Sequence, residues 1–370
     1  MRRFGFGFGI PSPRRTLADL YSYIAALFTA NEQGLWLDPS DLSTLFQDTA
    51  GATPVTAPGQ TVALARDKSG RGNHLVQPVA LSRPTLGRHP VGGRRNLLTY
   101  TEDFSNAIWA PDFGGTVTKS PPNLSFNAPS TDRRFALLYN QALTTVTGQS
   151  YVLTGTFIPG PGGEVIAIGS RSSGAAFGWV SYDTATGTSD QYTISTPYTS
   201  ISFLGANEVS AGVWRMSVLI TANGAQILPM VHFGSAGQTA AQLRTAGNGA
   251  GTLGLVSMQL VLGSDPGAYQ RVTSDWDVTE VGKADCWYLG FDGIDDFMVT
   301  AATLDLSATD KVTMFAGVQK FTDAAIGIVA EFSGNVSLNA GTFYLVNGDG
   351  SSNSRPWSTS SRGTVAATSS

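Results

Sequence analysis

Short apolar stretches that alternate with polar residues dominate the middle of the chain. Between residues 96 and 280, segments such as YVLTGTFIP, EVIAIGS and VWRMSVLITA carry many apolar side chains at every second position, with Gly, Asn or Pro between segments. A period of two places alternate side chains on opposite faces of a β-strand. No segment of this region longer than ten residues follows the helical period. The pattern therefore predicts a mainly β chain built from antiparallel β-sandwich (jelly-roll) domains.

One segment near the N-terminus follows the helical period instead. Within residues 16–30 the apolar side chains recur three or four positions apart and form one stripe: Leu17, Leu20, Tyr21, Ile24, Leu27 and Phe28. Thr16 can cap this helix, and Asp19 lies in its first turn, where the helix dipole favours an acid. We therefore expect one short N-terminal helix, which either packs on its own domain or forms an oligomer contact.

The residues before this helix are basic and aromatic. Arg2 and Arg3 precede Phe4, Phe6 and Phe8, which alternate with glycine. Glycine leaves such a segment without a fixed conformation of its own, and a solvated arm is one interpretation. The spaced rings can also pack into a groove of a partner as an added strand. We expect these five residues to dock on a partner surface.

The C-terminal part of the chain carries strand patterns up to a polar end. CWYLGFDGIDDFMVT, which begins at Cys286, is followed by KVTMFAGVQK and GTFYLVNG. The last residues are small and polar and have no strand pattern. The final domain therefore either stops partway or ends in a disordered tail.

Composition narrows the range of functions. The charged fraction is 14%, against about 25% in an average soluble domain, and the 43 glycines suit many strands joined by tight turns. The net charge of −4 provides no general attraction to nucleic acid. A single cysteine excludes an intrachain disulfide. No apolar run reaches the roughly 18 residues that span a bilayer, and the start makes a poor signal peptide, so we expect synthesis in a bacterial cytoplasm without membrane insertion.

Two separated passages resemble one family of lectin domains. ARDKSGRGNHLVQPVALSRPTL, which begins at Ala65, is similar to the Asp-x-Ser-Gly-x-Gly-Asn-His segment of concanavalin A-like and laminin-G-like jelly rolls. LGFDGIDDFMVT, which begins at Leu289, resembles the strand and turn that follow soon after in that fold. A long stretch separates them here. The resemblance implies a discontinuous jelly roll over residues 32–95 and 284–370 that hosts an inserted domain.

The intervening passage has a resemblance of its own. NLLTYTEDFSNAIWA, which begins at Asn96, and MQLVLGSDPGAYQRVT, which begins at Met258, are similar to the opening and closing segments of carbohydrate-binding-module-like sandwiches in phage virion proteins. The resemblance implies such a sandwich over residues 96–283, preceded by an arm and helix over residues 1–31.

The combination of the two domains resembles tail fibres, head fibres, spikes or decoration proteins of bacteriophages. It implies a location in the virion and contacts with other virion proteins through the N-terminus. It also implies a homo-oligomer, with a trimer favoured, and contact with host cell-surface polysaccharide during adsorption.

Aromatic side chains are the candidates for glycan contact, because sugars stack their C–H faces on rings. The candidates are Trp109, Trp179, Tyr182, Tyr192 and Trp276. The alternative for each is a place in the core, where most aromatic side chains of a sandwich lie.

Three carboxylates cluster in the segment FDGIDDF, at Asp292, Asp295 and Asp296. Ca²⁺ takes six to eight oxygen ligands at flexible angles, so a calcium site is one interpretation. Asp38 and Asp41, or Asp67 with Asn73, are further candidate ligands if the two halves of the jelly roll meet. The alternative is a turn in which the carboxylates accept hydrogen bonds from backbone N–H groups.

The sequence offers no recognisable catalytic constellation. It contains no Gly-x-Ser-x-Gly elbow between a strand and a helix, and no short repeat of the kind that builds a parallel β-helix. Carboxylates such as Glu102 and Asp103 carry no hydrolase motif around them. We therefore expect a structural and glycan-binding protein without enzymatic activity or cofactor, with a polysaccharide depolymerase as the alternative.

Overall fold

The computed structural model describes residues 17–30, 32–111, 116–120, 123–128, 137–171, 176–194, 200–224, 226–245, 249–304, 313–319, 327–331, 342–347, 357–362 and 367–369. The predicted attachment residues Arg2, Arg3, Phe4, Phe6 and Phe8 lie outside these ranges. Among the described residues, no helix is both long enough and apolar enough to cross a membrane.

Strands make up most of the regular structure. The helices among the described residues are α1 (Leu17–Ala26) and α2 (Ala240–Thr245), with short 3-10 turns at Leu42–Thr44 and Ala80–Ser82. The first strands are β1 (Leu45–Phe46), β2 (Leu64–Ala65), β3 (Leu75–Val76), β4 (Thr85–Pro90), β5 (Trp109–Pro111), β6 (Thr116–Ser120), β7 (Asn123–Ala128) and β8 (Leu137–Tyr139).

The central strands are β9 (Ser150–Pro159), β10 (Val165–Arg171), β11 (Phe177–Asp183), β12 (Thr188–Ile194), β13 (Ser200–Ser210), β14 (Val213–Thr221), β15 (Leu228–Gly234) and β16 (Gly249–Leu262). The remaining strands are β17 (Gln270–Ser274), β18 (Asp277–Glu280), β19 (Asp285–Gly290), β20 (Val299–Thr300), β21 (Gly327–Glu331), β22 (Thr342–Asn347), β23 (Trp357–Arg362) and β24 (Ala367–Ser369). The predicted mainly β fold with antiparallel sheets and a short N-terminal helix is confirmed.

The chain divides into two compact units. The smaller comprises residues 1–36, 67–75 and 291–370, and the larger comprises residues 37–66 and 76–290. These boundaries differ from those of the predicted domains, whose assignment stays a prediction. The segments 67–73 and 291–297, which the lectin resemblance joins, belong to the same unit.

Two six-stranded sheets form the body of the larger unit. The first has the order β12-β11-β10-β15-β8-β5, and the second has the order β13-β14-β9-β16-β7-β6. Every described pairing within the two sheets is antiparallel. Strands joined by tight turns pair antiparallel, because a parallel pairing needs a long crossover such as a helix.

A single apolar core lies between the two sheets and gives them a sandwich-like arrangement. Both sheets contribute to it: Trp109, Tyr139, Ile166, Ile168, Val231 and Phe233 come from the first, and Leu153, Phe157, Met216, Val218, Leu255 and Leu260 come from the second. The alternation seen in the sequence accounts for this core, because every second residue of each strand faces the opposite sheet.

A second, smaller apolar cluster covers the other face of the first sheet. Ala240 and Leu243 of α2 pack there against Phe177 and Trp179 of β11. The indole Nε1 of Trp179 donates to the Ala240 carbonyl at 3.2 Å. The first sheet is therefore apolar on both faces.

The buried side chain of Asn96 ties the start of the central segment to its end. Asn96 has 0% exposure. Its Nδ2 donates to the carbonyls of Met258 and Gln270 at 3.3 and 2.9 Å. Its Oδ1 accepts from the backbone N–H groups of Leu98 and Leu260 at 3.2 and 3.1 Å.

The side chain of Gln270, 1% exposed, completes this connection from the opposite end. Its Oε1 accepts from the backbone N–H groups of Arg95 and Asn96 at 2.7 and 3.2 Å, and its Nε2 donates to the Gly93 carbonyl at 3.1 Å. We refer to Asn96 and Gln270 as the amide clasp. The two sequence segments that begin at Asn96 and Met258 thus lie next to each other in the structure.

Backbone pairing also brings together the residues that flank this central segment. Strand β4 pairs antiparallel with β19, with His89 opposite Cys286 and Leu86 opposite Leu289. These strands belong to a four-stranded sheet of order β17-β18-β4-β19. Chain segments on either side of residues 96–283 therefore lie side by side.

The smaller unit contains α1 and a four-stranded sheet of order β21-β22-β23-β24. On the predicted apolar stripe, the Tyr21 ring lies 5.7 Å from that of Trp36, and Arg71 donates to the Phe28 carbonyl at 2.5 Å. Leu27, also on the stripe, is 55% exposed. These contacts favour packing of the helical segment on its own unit.

Replacing Asn96 with alanine should lower the free energy of unfolding by about 3 kcal/mol, because four buried backbone groups lose their hydrogen-bond partner. Urea denaturation of the full chain measures this change. The control is Asn140→Ala, at an exposed position, which should change stability by less than about 0.5 kcal/mol. Equal stability of the Asn96→Ala variant and the parent would contradict the role of the clasp.

Candidate functional site

Two of the predicted glycan-binding residues are core residues. Trp109 and Trp179 both have 0% exposure. Trp109 packs edge-on against Phe104 and Tyr139, with 5.0 Å between ring centroids in each pair. Its indole Nε1 donates to the Tyr100 carbonyl at 3.0 Å. The prediction of sugar stacking is corrected for these two residues, because their rings have no surface that a sugar can reach.

The other three predicted aromatic residues are half-buried and lie in three different places. Tyr182 stacks on Phe203 at 5.6 Å between the two large sheets. Tyr192 accepts a hydrogen bond from Arg244 at 2.8 Å on the face that α2 covers. Trp276 lies against Gly290, where an added Cβ would be 2.2 Å from the indole ring. The five aromatic candidates therefore do not form one binding platform.

The outer face of the second sheet carries polar side chains instead. Arg215 on β14 is opposite Thr156 on β9, which is opposite Ser257 on β16. The neighbouring row consists of Ser217, Thr154 and Gln259 in the same strand order. These residues alternate with the inward-facing core residues of the same strands. The sheet is thus apolar towards the core and polar on this part of its outer face.

A shallow cleft with a cavity volume of about 40 Å³ lies over these two rows. It is lined by Thr154, Thr156, Arg215, Ser257, Gln259, Pro266, Gly267 and Tyr269. The last three belong to the turn between β16 and β17. Gln259 holds this turn in place, because its Nε2 donates to the Pro266 carbonyl at 2.7 Å and its Oε1 accepts from the Gln270 N–H at 2.9 Å.

The turn that borders the cleft depends on glycine. Gly263 and Gly267 have φ values of +112° and +60°, and a side chain is strained in such backbone conformations. At Gly267 an added Cβ would also lie 2.7 Å from the Arg95 guanidinium. The Asp265 carboxylate accepts from the Gly267 N–H at 2.8 Å and fixes the tip of the turn.

Three polar side chains in the cleft make no hydrogen bond with any residue that the structure describes. They are Thr156, Ser257 and Arg215, which form one row across three strands. Thr156 and Ser257 are each only 7% exposed. Their hydroxyl oxygens are not among the enclosed polar atoms that lack a partner, so they reach the surface and are available to water or to a ligand in the cleft. In the adjacent row, Thr154 and Ser217 bond each other at 2.8 Å.

Tyr269 forms one wall of the cleft. Its hydroxyl bonds the Thr101 hydroxyl at 2.8 Å. Burial raises the pKa of Tyr269 well above its usual range, and the hydrogen bond with Thr101 only partly opposes this shift. The side chain is therefore a neutral phenol at physiological pH, with a half-buried ring at the edge of the cleft.

A second depression adjoins this wall. It is lined by Tyr100, Thr101, Glu102, Asp103, Arg271, Val272 and Thr273. Tyr100 has a φ of +51°, a conformation that is uncommon outside glycine. Its carbonyl accepts from the Asp103 N–H and the Trp109 indole, at 3.2 and 3.0 Å, so this backbone conformation serves the local packing.

The sequence interpretation overlooked this cleft. The signal for the polar rows was the alternation within SYVLTGTF, where Thr154 and Thr156 fall between core residues. Tyr269 follows a Gly-Ser-Asp-Pro-Gly-Ala turn, which projects it over the sheet. Neither pattern shows how the strands are aligned with one another, and this alignment is what places the polar residues of β14, β9 and β16 in rows.

The predicted calcium residues do come together. Asp292, Asp295 and Asp296 each place a carboxylate oxygen within 4.8 Å of the others. Asp292 accepts from the N–H groups of Ile294, Asp295 and Asp296 at 2.8, 3.3 and 3.4 Å. The turn interpretation thus accounts for the Asp292 contacts, and calcium binding stays a prediction.

The pKa values of two of these aspartates shift in opposite directions. The Ile294 N–H and the following backbone donors lower the pKa of Asp292. Burial raises the pKa of Asp296, and the neighbouring carboxylates of Asp292 and Asp295 add to the increase. A bound cation would reduce the repulsion among the three groups.

Asp67, a further candidate ligand, already has four donors. Its Oδ1 accepts from the N–H groups of Trp36 and Ser69 at 2.9 and 2.8 Å. Its Oδ2 accepts from the Ser69 hydroxyl and the Asn73 N–H at 2.6 and 3.0 Å. Burial opposes ionisation, but these hydrogen bonds outweigh it and lower the pKa of Asp67. The carboxylate therefore organises the loop that resembles the lectin family.

Comparison of the sequence with protein-family models and with curated proteins gives no match.

Replacing Asp67 with asparagine should destabilise the chain at pH 7 by about 1–2 kcal/mol, because an amide donor then faces backbone N–H groups. The folded-state pKa of Asp67 is depressed, so its stabilising effect is present above the unfolded value of about 4 and is lost as the pH falls through the folded value. Denaturant unfolding at pH 7 and pH 3 should show a difference between variant and parent that shrinks in acid. A difference that is the same at both pH values would contradict this role of the charge.

Proposed function

We propose that this chain is a structural component of a bacteriophage particle that binds host surface glycan through the cleft on its second large sheet. The observation that carries the binding part is the row of Arg215, Thr156 and Ser257, whose polar groups lack partners among the described residues. A surface row of donors and acceptors set at strand spacing suits a ligand with many hydroxyl groups.

The aromatic wall of the cleft supports the same function. Tyr269 offers a half-buried ring beside the polar row, so a sugar can place its C–H face on the ring and its hydroxyl groups on the sheet. This combination of a ring and a few directed polar groups is typical of small-ligand sites.

Binding without catalysis is the proposed activity. Glycoside hydrolysis generally requires two carboxyl groups that flank the scissile bond, and no carboxylate is among the residues that line the cleft. A polysaccharide depolymerase is the alternative. Release of reducing ends from a bound polysaccharide would replace the binding proposal with that activity.

The particle setting is supported by the resemblance of the sequence to phage virion proteins and by the amide clasp, which joins the two phrases that carry this resemblance. We propose attachment through Arg2, Arg3, Phe4, Phe6 and Phe8, and assembly as a homo-oligomer, with a trimer favoured. Neither nucleic acid nor a membrane is among the proposed partners, because the net charge is −4 and the sequence has no long apolar run.

Thr156→Val and Ser257→Ala should each weaken glycan binding about 3- to 10-fold, because each substitution removes a hydroxyl group worth about 0.5–1.5 kcal/mol in a hydrogen bond. The measurement is binding of the full chain to an array of bacterial surface polysaccharides, followed by titration of the polysaccharides retained. Thr144→Val is the matched control, since Thr144 is exposed and lies outside the cleft.

The array result also tests the function itself. If the full chain retains no polysaccharide on the array or on the host envelope, the glycan-binding part is wrong. If polysaccharide binds but the cleft variants and Thr144→Val behave alike, binding occurs elsewhere on the chain.

Deleting residues 1–16 should leave a folded chain that no longer joins particles. The deletion stops before α1, because Tyr21 and Phe28 contact their own unit. Circular dichroism checks the fold, and electron microscopy of particles assembled with the truncated chain checks incorporation. Normal incorporation would contradict attachment through the five N-terminal residues.

A further inference from the structure

Arg215 is the only side chain with a formal charge among the residues that line the cleft. It is exposed, and its guanidinium forms no ion pair or hydrogen bond with any residue that the structure describes. The other ionisable group in the lining, the Tyr269 phenol, is neutral at physiological pH at its ordinary pKa of about 10, and burial raises that pKa further. The cleft therefore contains one unmatched positive charge.

Three other arginines of the same unit pair with carboxylates, while Arg271 donates to the Thr279 hydroxyl and Arg244 to the Tyr192 hydroxyl. Arg88 pairs with Asp277 at 2.5 Å, Arg94 pairs with Asp275 at 2.6 Å, and Arg95 pairs with Glu280 at 2.9 Å. Arg83 instead donates to three backbone carbonyls. The Arg215 guanidinium has no partner among the described residues. It lies at one end of a row whose hydroxyl groups, those of Thr156 and Ser257, also lack described partners.

We propose that the cleft recognises an acidic glycan, in which the carboxylate of a uronate or related sugar acid pairs with Arg215 while adjacent sugar hydroxyl groups bond Thr156 and Ser257. This inference rests on the proposed glycan-binding function. A planar guanidinium matches a carboxylate through two parallel hydrogen bonds. Neighbouring strands are about 4.8 Å apart, so the row spans about 10 Å, which places the charge and the hydroxyl groups within reach of one short stretch of polysaccharide.

The charges around the cleft also give the ligand a direction. Glu102 and Asp103 line the second depression, and Tyr269 bonds Thr101 of that depression while lining the cleft itself. These two carboxylates outnumber the one cation of that depression, Arg271, so that side repels an anionic sugar, and Arg215 at the other side attracts it. The acidic group of the ligand therefore faces Arg215, and a neutral part of the ligand faces Tyr269.

The test compares acidic polysaccharides with their own carboxyl-reduced forms. Uronate-containing and sialic acid-containing bacterial polysaccharides are converted to neutral polymers by carbodiimide activation and borohydride reduction, and neutral polysaccharides complete the set. Binding of the full chain is titrated at low and at high salt. We expect at least one acidic polymer to bind, with affinity lost on carboxyl reduction and weakened by salt.

Arg215→Gln should weaken binding of the acidic polymer about 10- to 100-fold, the range for a charge-assisted hydrogen bond, and leave any binding of the reduced polymer unchanged. The affinity of Arg215→Lys for the acidic polymer should lie between that of Arg215→Gln and that of the parent, because an ammonium group keeps the charge but not the planar pair of donors. Lys283→Gln is the matched control, since it removes one positive charge from an exposed turn outside the cleft.

The outcomes separate this inference from the function on which it rests. Equal binding of acidic and reduced polymers, or an Arg215→Gln variant that behaves like Lys283→Gln, overturns the acidic ligand while glycan binding stands. Retention of no polysaccharide of any class overturns both.

Discussion

The amide clasp is the interaction on which the central sandwich depends. A sheet-on-sheet arrangement leaves both chain ends of the segment beside the core, where backbone groups need partners. Asn96 and Gln270 provide these partners from within the segment itself, and their side chains are almost fully buried. An amide is suited to this role because it offers both donors and an acceptor, and so can satisfy N–H and carbonyl groups at once.

The clasp has a direct connection to the cleft. The side chain of Gln270 accepts a hydrogen bond from the Arg95 N–H. The backbone N–H of Gln270 donates to the Gln259 side chain, which in turn donates to the Pro266 carbonyl. The turn that borders the cleft is therefore supported by the same network that closes the sandwich. A site built on such support keeps its geometry before a ligand arrives, which reduces the entropic cost of binding.

The sequence predicts the fold more fully than the site. Alternation in segments such as SYVLTGTF predicts strands because the two-residue period directly encodes which side chains enter the core. The helix at Leu17–Ala26 is equally readable from its apolar stripe. The two phrases around Asn96 and Gln270 indicate that the ends belong together, although the bonds between them become visible only in three dimensions.

The choice of Trp109 and Trp179 as sugar-binding residues failed for a physical reason. A tryptophan ring can pack in an apolar core or stack on a sugar, and the sequence alone does not show whether the rings of Trp109 and Trp179 are exposed. The cleft depends instead on register: Arg215, Thr156 and Ser257 are far apart in the chain and become neighbours only when β14, β9 and β16 align. Long-range register of this kind has no local signature.

The pairing of β4 with β19 has an evolutionary consequence. The strands on either side of the central segment run next to each other, so that segment leaves and re-enters the fold at adjacent points. The amide clasp joins its two ends, and Gln270 also bonds the Gly93 carbonyl and the Arg95 N–H just outside it. Because its two ends meet, recombination can exchange this portion as a cassette while the flanking strands keep their sequence.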